Sequence, residues 1–544
     1  MWVGKFIGGT LGAPIEGLKS THSFTADLAL PNGVCENDDT DLQLLWLHAL
    51  EEHGIRLGSR ELMAEWREHV EAPWNEYGVA AANWERGLLP PESGVVANWF
   101  FGECMGCAIR SEIWAAICPG APAYAAQYAA QDASLDHFGN AVEAEKFLAA
   151  MEAEAFFVTD VDALIQTART YVDPASRLAQ LIGDVLQWTS EGSWLETRNR
   201  ILAHYGHPEM THVLQNVGFI LLGLLYGRGN FCQTLATTLN CGYDADCTAA
   251  TAGAILGAMI GFDQIPESLR NDVSDGYVLS SWMRGFPRHG SISALSQACC
   301  ALGQEVAQAF ETGVTIGEVE PRPPALAVQA VARPPIVPVA PAFPTWQIVG
   351  PFWRPWEERQ QADIAGGEHG LPSLPSVHYF SHNQSGFDRA WLQPEQLNFD
   401  TGELPPGAQR WVRAATDDRL PLDALGGMDG PACYYASAEL EADAPSRLWL
   451  LVGATGPVEV WWNGERIIHS ETFQPLTPSS FPAEVEIVPG RNRIVLKLAR
   501  VSQPLAACVN FKRHQGAHWH QSFIETNLRW VGPQKRGDRS APVV

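Results

Sequence analysis

Two short stretches of this sequence concentrate oxygen ligands of the kind that bind hard cations. Cys35-Glu36-Asn37-Asp38-Asp39-Thr40-Asp41 sets four carboxylates within six residues, directly ahead of the apolar run Leu42–Leu50. Asn240-Cys241-Gly242-Tyr243-Asp244-Ala245-Asp246-Cys247-Thr248 places a second acidic pair ahead of a small-residue run over 249–261. Carboxylates at a helix start are stabilised by unpaired amides and the helix dipole, so capping accounts for one or two acids. It does not account for four, with the amide of Asn37 among them. Capping plus a solvated loop remains the alternative that the pattern leaves open.

The elements that must position these acids are helices. Gly253, Gly257 and Gly261 recur every four residues, at a cost of about 1 kcal/mol each relative to alanine, which strips one helix face and admits another backbone closely. If such packing brings the two helix starts together, Asp38, Asp39, Asp244 and Asp246 face one another. Clustered carboxylates repel strongly in a partly buried site. Two divalent cations would balance them, and hard oxygen donors point to magnesium or manganese before zinc.

Helical periodicity also runs through Val142–Phe157, Val161–Tyr171 and Thr211–Tyr226, so the first part of the chain reads as all-α over residues 1–315. Residues 316–345 hold the segment PRPPALAVQAVARPPIVPVAPAFP, a proline-rich linker. Short β-type runs follow at Arg447–Val452, Val458–Trp462, Glu484–Val488 and Arg493–Leu498, with Asn463-Gly464 and Pro489-Gly490 as turns. Residues 346–515 therefore read as an all-β sandwich and 516–544 as a tail that frays after Trp530.

The chain has 544 residues, 36 Lys plus Arg against 62 Asp plus Glu, and a net charge of −26, which disfavours nucleic acid as a partner. No signal-peptide core or long apolar run appears, so the expectation is a cytoplasmic protein without a membrane partner. Eleven cysteines do not read as a disulfide framework. Cys104-Met105-Gly106-Cys107 has redox or zinc spacing, but no second pair completes it.

Three stretches, in order, resemble the ADP-ribosylglycohydrolase family: Gly8-Gly9-Thr10-Leu11-Gly12-Ala13-Pro14-Ile15-Glu16-Gly17, Asn37-Asp38-Asp39-Thr40 and Gly242-Tyr243-Asp244-Ala245-Asp246-Cys247. The resemblance covers roughly residues 4 to 270. It implies an orthogonal all-α fold with a dinuclear magnesium or manganese site, hydrolysing a bond at the anomeric carbon of a ribose. By motif position it implies Asn37, Asp38, Asp39, Asp244, Asp246 and Cys247 at the metals, with Asp39 as the base that activates water and Glu16 as a catalytic or supporting acid. Asn37 stands where the family usually has Ser or Thr, Cys247 where it has Thr, and Gly9 where it has Asp. Asn37 can offer an amide oxygen to a cation, and Thr248 a hydroxyl in place of the softer Cys247.

Substrate contacts are expected from Arg110, in a segment resembling one near the family's substrate, from His212 and Asn216, four apart on one helix face, and from Trp84 among Trp74, Trp84 and Trp99. Each has a structural alternative, an internal ion pair for Arg110 and core packing for the tryptophans. Asp132 and His137 read as buried hydrogen-bonding residues. The β region, Trp346 to Phe511, resembles jelly-roll modules of carbohydrate-active enzymes, which implies a carbohydrate partner there. The expected substrate is an ADP-ribosylated molecule. Rival readings are a glycosidase acting on another small-molecule glycoside and a non-catalytic binding protein.

Overall fold

The computed structural model describes residues 1–30, 32–285, 289–317, 343–352, 397–404, 407–422, 425, 432–500, 504–515 and 518–532. The chain divides into two units, Met1–Pro338 and Val339–Val544. The division falls inside the expected linker, of which residues 318–342 lie outside the described residues.

The first unit holds sixteen α-helices among its described residues and no strand longer than a single bridge. The expected helices are present at Asn140–Glu154, Val161–Ala168 and Val213–Gly227, the second continuing as a 3-10 turn over Arg169–Tyr171. The Asp38–His53 helix starts where Asn37 accepts a hydrogen bond from the Asp39 amide and stops at Gly54, φ 78°. From Asp39 to Leu50 every residue is buried, which is why its apolar residues are spread round the helix and not confined to one stripe. One hydrophobic cluster threads these helices, with Trp46, Trp66, Trp84 and Trp114 fully enclosed.

The closest helix pair sets the site. The Trp2–Gly12 helix lies on the Ala245–Ile260 helix so tightly that a Cβ on Gly4 would stand 2.0 Å from the Gly253 carbonyl oxygen, and one on Gly8 2.0 Å from that of Ala249. A Cβ on Gly12 would stand 2.3 Å from the Asp246 Cα. The expected close approach is thus real, but its partner is the opening helix, whose own glycines are spaced four apart. Gly253 and Gly257 face it; Gly261 instead ends its helix at φ 77°, with open space around it.

The second unit is antiparallel. Its strands are β1 (Thr345–Phe352), β2 (Gln409–Ala414), β3 (Ala432–Ala442), β4 (Ser446–Ala454), β5 (Val458–Trp462), β6 (Glu465–Ser470), β7 (Phe481–Ile487), β8 (Gly490–Arg500), β9 (Ala507–Arg513) and β10 (Arg529–Val531). One sheet runs β2-β1-β3-β8-β5-β6, with β10 beside β1 on the same edge of β3, and the other runs β7-β4-β9. Alternate residues such as Leu448, Leu450 and Val452 from one sheet, and Ile494, Leu496 and Leu498 from the other, share one core. Asn463 and Gly464 both have positive φ, 51° and 90°, as the tight β5–β6 hairpin requires. The expected tail is corrected in part. Arg529–Val531 pairs with Glu439–Glu441, and Ser522 and Ile524 are buried, because their apolar and backbone groups complete this sheet and its core. The expected fraying beyond Trp530 falls on 533–544, outside the described residues.

All eleven cysteines are free thiols. Among the described residues, no helix is long and apolar enough to cross a membrane.

Candidate functional site

Three elements bring the acidic groups together. Gly242 and Tyr243 take positive φ, 68° and 64°, and turn the chain sharply into the Ala245–Ile260 helix. The Tyr243 amide donates to the Leu18 carbonyl at 2.8 Å, and the Gly17 amide donates back to the Tyr243 carbonyl at 2.8 Å. This two-way clamp holds Glu16 beside Asp244. Asn240 reinforces it, accepting from the Phe24 amide at 2.6 Å and donating to the Phe24 carbonyl at 3.0 Å.

Donor atoms of Glu16, Asp244 and Asp246 lie within 4.8 Å of one another, as do those of Asp39, Asp246 and Cys247. Asp246 belongs to both groups and joins them. Both carboxylate oxygens of Asp39, both of Asp244 and Oδ1 of Asp246 are buried without a hydrogen-bond partner. Buried polar atoms are ordinarily paired, so five orphaned carboxylate oxygens in one place mark a site built for a ligand that brings positive charge.

The protein supplies one cation here. Lys5, fully buried, places Nζ 3.8 Å from Asp39 Oδ1 and 2.8 Å from Glu112 Oε1, and donates to the Ile109 carbonyl at 3.1 Å. Gln43 donates to Glu112 and to Ile109, while its own oxygen accepts from the Ile113 amide. Thr251 donates to Glu112 at 3.3 Å. Lys5 is therefore shared with a second buried acid and leaves the cluster short of positive charge.

The protonation equilibria reflect that shortage. Burial, with the negative charges of Asp246 and Asp38, raises the pKa of Asp39 well above the carboxylate range even against Lys5. Burial and then Asp246 push Asp38 up to about 7. Burial, with Asp246 and Glu16, raises Asp244 strongly, and burial raises Asp246. Partial desolvation, with Asp246 and Asp38, brings Glu16 to about 8, although its side chain stands exposed at the rim.

Several expectations change at the level of single atoms. Asn37 Oδ1 accepts from the Asp39 amide at 2.7 Å, and Nδ2 donates to Asp246 Oδ2 at 3.1 Å. Its role is to cap one helix and tether the other. The Thr248 hydroxyl donates back to the Ala245 carbonyl at 3.3 Å. Cys247 faces Asp39 and Asp246, its thiol pKa raised by burial and by those acids. Of the two expected catalytic acids, Asp39 is fully buried and faces Lys5, whereas Glu16 has an exposed side.

The expected substrate contacts do not converge on the cluster. Arg110 is fully buried, its guanidinium held by Asp136 at 2.8 and 2.9 Å and by Asp132 at 2.9 Å, between the rings of Trp46 and Trp66. It is an internal ion pair, because two buried acids and two indoles enclose it. Trp84 is core, edge-on to Trp66. His212 caps the Val213–Gly227 helix, accepting from the Leu214 amide, and burial beside His207 lowers its pKa to about 3. Asn216 donates to the carbonyls of Met210 and His212 and is fully buried. Asp132 and His137 are buried hydrogen-bonding groups, as their sequence context suggests. Cys104 and Cys107 are buried and stand outside every group of potential metal ligands found among the described residues. Lys5 and Glu112 escape sequence reasoning, although a lone charge inside the helix WVGKFIGGTLG is a signal that Lys5 has a buried partner.

Comparison with known proteins fits this architecture. The ADP-ribosylglycohydrolase family model matches residues 1–304. No curated protein matches the chain. Among solved structures, an ADP-ribosylglycohydrolase-related protein complex aligns with 20% identity over 56% of this chain and 96% of its own, TM-score 0.39. A GH31 alpha-xylosidase from Xanthomonas citri aligns over 22% of this chain and 14% of its own at 9% identity, TM-score 0.17. The PA14 domain of an antifreeze protein aligns over 19% of this chain and 52% of its own at 12% identity, TM-score 0.15.

Proposed function

The chain belongs to the ADP-ribosylglycohydrolase family, and on that premise we propose that it is a hydrolase cleaving a glycosidic bond at the anomeric carbon of an ADP-ribosyl group with the help of two divalent cations. The single observation that carries the reading is the set of buried, unpartnered carboxylate oxygens on Asp39, Asp244 and Asp246 around one shared lysine. Asp39, Asp244 and Asp246, with Asp38 beside them, are the residues that would hold the ions, with Asp246 common to both.

Hard carboxylate oxygens fit magnesium or manganese, and the thiol of Cys247 is the one soft donor in reach. Such ions, when bound, supply positive charge that orients sugar hydroxyls and makes a water easier to deprotonate. Glu16, at the open rim, is placed to take the proton from that water as it attacks the anomeric carbon. Lys5 lies against Asp39 and offsets part of the burial and repulsion that raise its pKa, and Asn37 holds Asp246 in register with the neighbouring helix start. Arg110, His212, Asn216 and Trp84 are buried and held by internal contacts, which favours a supporting role for them.

The deciding experiment incubates the full chain with an ADP-ribosylated peptide and, separately, with aryl glycosides, each in magnesium, in manganese and in chelator. Cation-dependent release of ADP-ribose, lost in Glu16→Gln and in Asp246→Asn, is the expected result. Turnover of the glycosides alone would reject the ADP-ribosyl substrate, and activity unchanged by chelator would reject the cations.

A further inference from the structure

The helix that begins at Asp38 carries a second constellation near its other end. Ten residues separate Asp38 from His48, a rise of about 15 Å at 1.5 Å per residue, so the two clusters are distinct. His48 Nε2 lies 3.4 Å from Glu65 Oε2, and His69 Nε2 lies 3.4 Å from the same carboxylate. The donor atoms of His48, Glu65 and His69 all lie within 4.8 Å of one another, and the three side chains are less than a tenth exposed.

The two 3.4 Å nitrogen–oxygen spacings fit a small tetrahedral cation. With metal–nitrogen and metal–oxygen bonds of about 2.0–2.1 Å, neighbouring donors in a tetrahedral zinc site stand roughly 3.3–3.4 Å apart. The donors come from two helices, His48 from Asp38–His53 and the Glu65/His69 pair, four apart on one face, from Ser59–His69.

The surrounding groups orient the donors as a metal site requires. His69 Nδ1 lies 2.7 Å from the Arg284 carbonyl, an acceptor, so this nitrogen carries the proton and the lone pair of Nε2 points into the cluster. His53 Nε2 lies 2.8 Å from Glu65 Oε1, holding the carboxylate by its second oxygen. Without a cation, His69 carries a second proton at Nε2 to meet Glu65, and against burial that carboxylate with the Arg284 carbonyl raises its pKa. A cation would take the place of that proton between the imidazoles and the carboxylate.

We propose that His48, Glu65 and His69 bind one divalent transition cation of zinc type, separate from the acidic cluster, and that the ion fastens the Asp38–His53 helix to the Ser59–His69 helix. Two imidazoles and a carboxylate are the ligand chemistry that zinc favours and magnesium does not.

The test is titration of the chelator-treated full chain with cobalt(II) and then zinc(II). One equivalent of cobalt should give the intense visible bands of tetrahedral coordination, zinc should displace it, and His48→Gln and His69→Gln should lose both. Asp246→Asn, which alters only the acidic cluster, should keep them. No tetrahedral cobalt spectrum in the natural chain overturns the proposal, as does a spectrum that survives His69→Gln or disappears in Asp246→Asn. Should either histidine variant fail to fold, X-ray absorption of the zinc-loaded natural chain decides. Two imidazoles with an oxygen ligand support the site, whereas sulfur ligands or an all-oxygen shell overturn it.

Discussion

Asp246→Asn is the most informative single perturbation of the acidic cluster, because its effect on stability should change sign with the metal. Asp246 has donor atoms within 4.8 Å of Asp39, Asp244 and Glu16. Two ionised carboxylates at that separation repel by roughly 3.5 kcal/mol at an effective dielectric of about 20. The raised pKa values mean that the acids are partly protonated in the metal-free protein, so the repulsion relieved by the substitution is smaller, about 1 to 3 kcal/mol, and grows with pH. The asparagine oxygen can still accept from Asn37 Nδ2. In chelator at pH 8 the variant should therefore melt higher than the natural chain. With cations the order reverses. An ion at a hundred times its Kd stabilises the folded state by about 2.7 kcal/mol. At about 2.1 cal/mol/K of unfolding entropy per residue over the matched residues 1–304, that is a rise of roughly 4 °C per ion. The variant, lacking the carboxylate common to both groups, should show no such rise. Differential scanning calorimetry in chelator, magnesium and manganese measures both effects. A variant that melts lower than the natural chain even in chelator, or one that keeps the full cation-induced rise, would refute the reasoning.

Other outcomes follow from the same geometry. Asp38 and Asp41 are each pushed up to about 7 by burial, above their unfolded values near 3.9, so the folded state holds their protons between about pH 4 and 7. The stability they contribute at low pH is lost as pH rises through about 7, and the melting temperature of chelator-treated protein should fall from pH 5 to 8; a rise over that range would contradict the assignment. Arg110→Ala leaves buried Asp132 and Asp136 without their partner and should cost about 3–5 kcal/mol in urea unfolding, whereas a loss under about 1 kcal/mol would show that the pair is not enclosed. Gly8→Ala forces a methyl to within 2.0 Å of the Ala249 carbonyl and should destabilise by about 1–3 kcal/mol while weakening the cation response, since Ala249 and Asp246 share a helix. Gly9→Ala, whose nearest neighbour is the Asn37 side chain at 3.2 Å, should be much milder in the same thermal melts.

The residue types alone determined a good deal of this protein. Acids placed just before apolar or small-residue runs point to helix starts, Asn463-Gly464 between β-type runs points to a tight hairpin, and both appear where their local chemistry puts them. Two ordered aspartate motifs with a glycine-rich opening were enough to mark the family over the helical part. What only the tertiary structure decided is which groups meet and which atom each one presents. The pattern at Gly253 and Gly257 announces a close helix partner but cannot say that it is Trp2–Gly12, because packing partners are chosen by shape across long separations in the chain. Only the folded chain shows the Asn37 oxygen on the Asp39 amide and its amide nitrogen on Asp246, and only there do Asp132 and Asp136 enclose Arg110. Lys5, a lone charge in a glycine-rich helix, becomes the counter-ion of Asp39 only when the helices dock. Short-range signals are carried by backbone geometry and capping, which neighbours in sequence dictate; the charge balance of a buried site is the sum over residues that folding alone brings together.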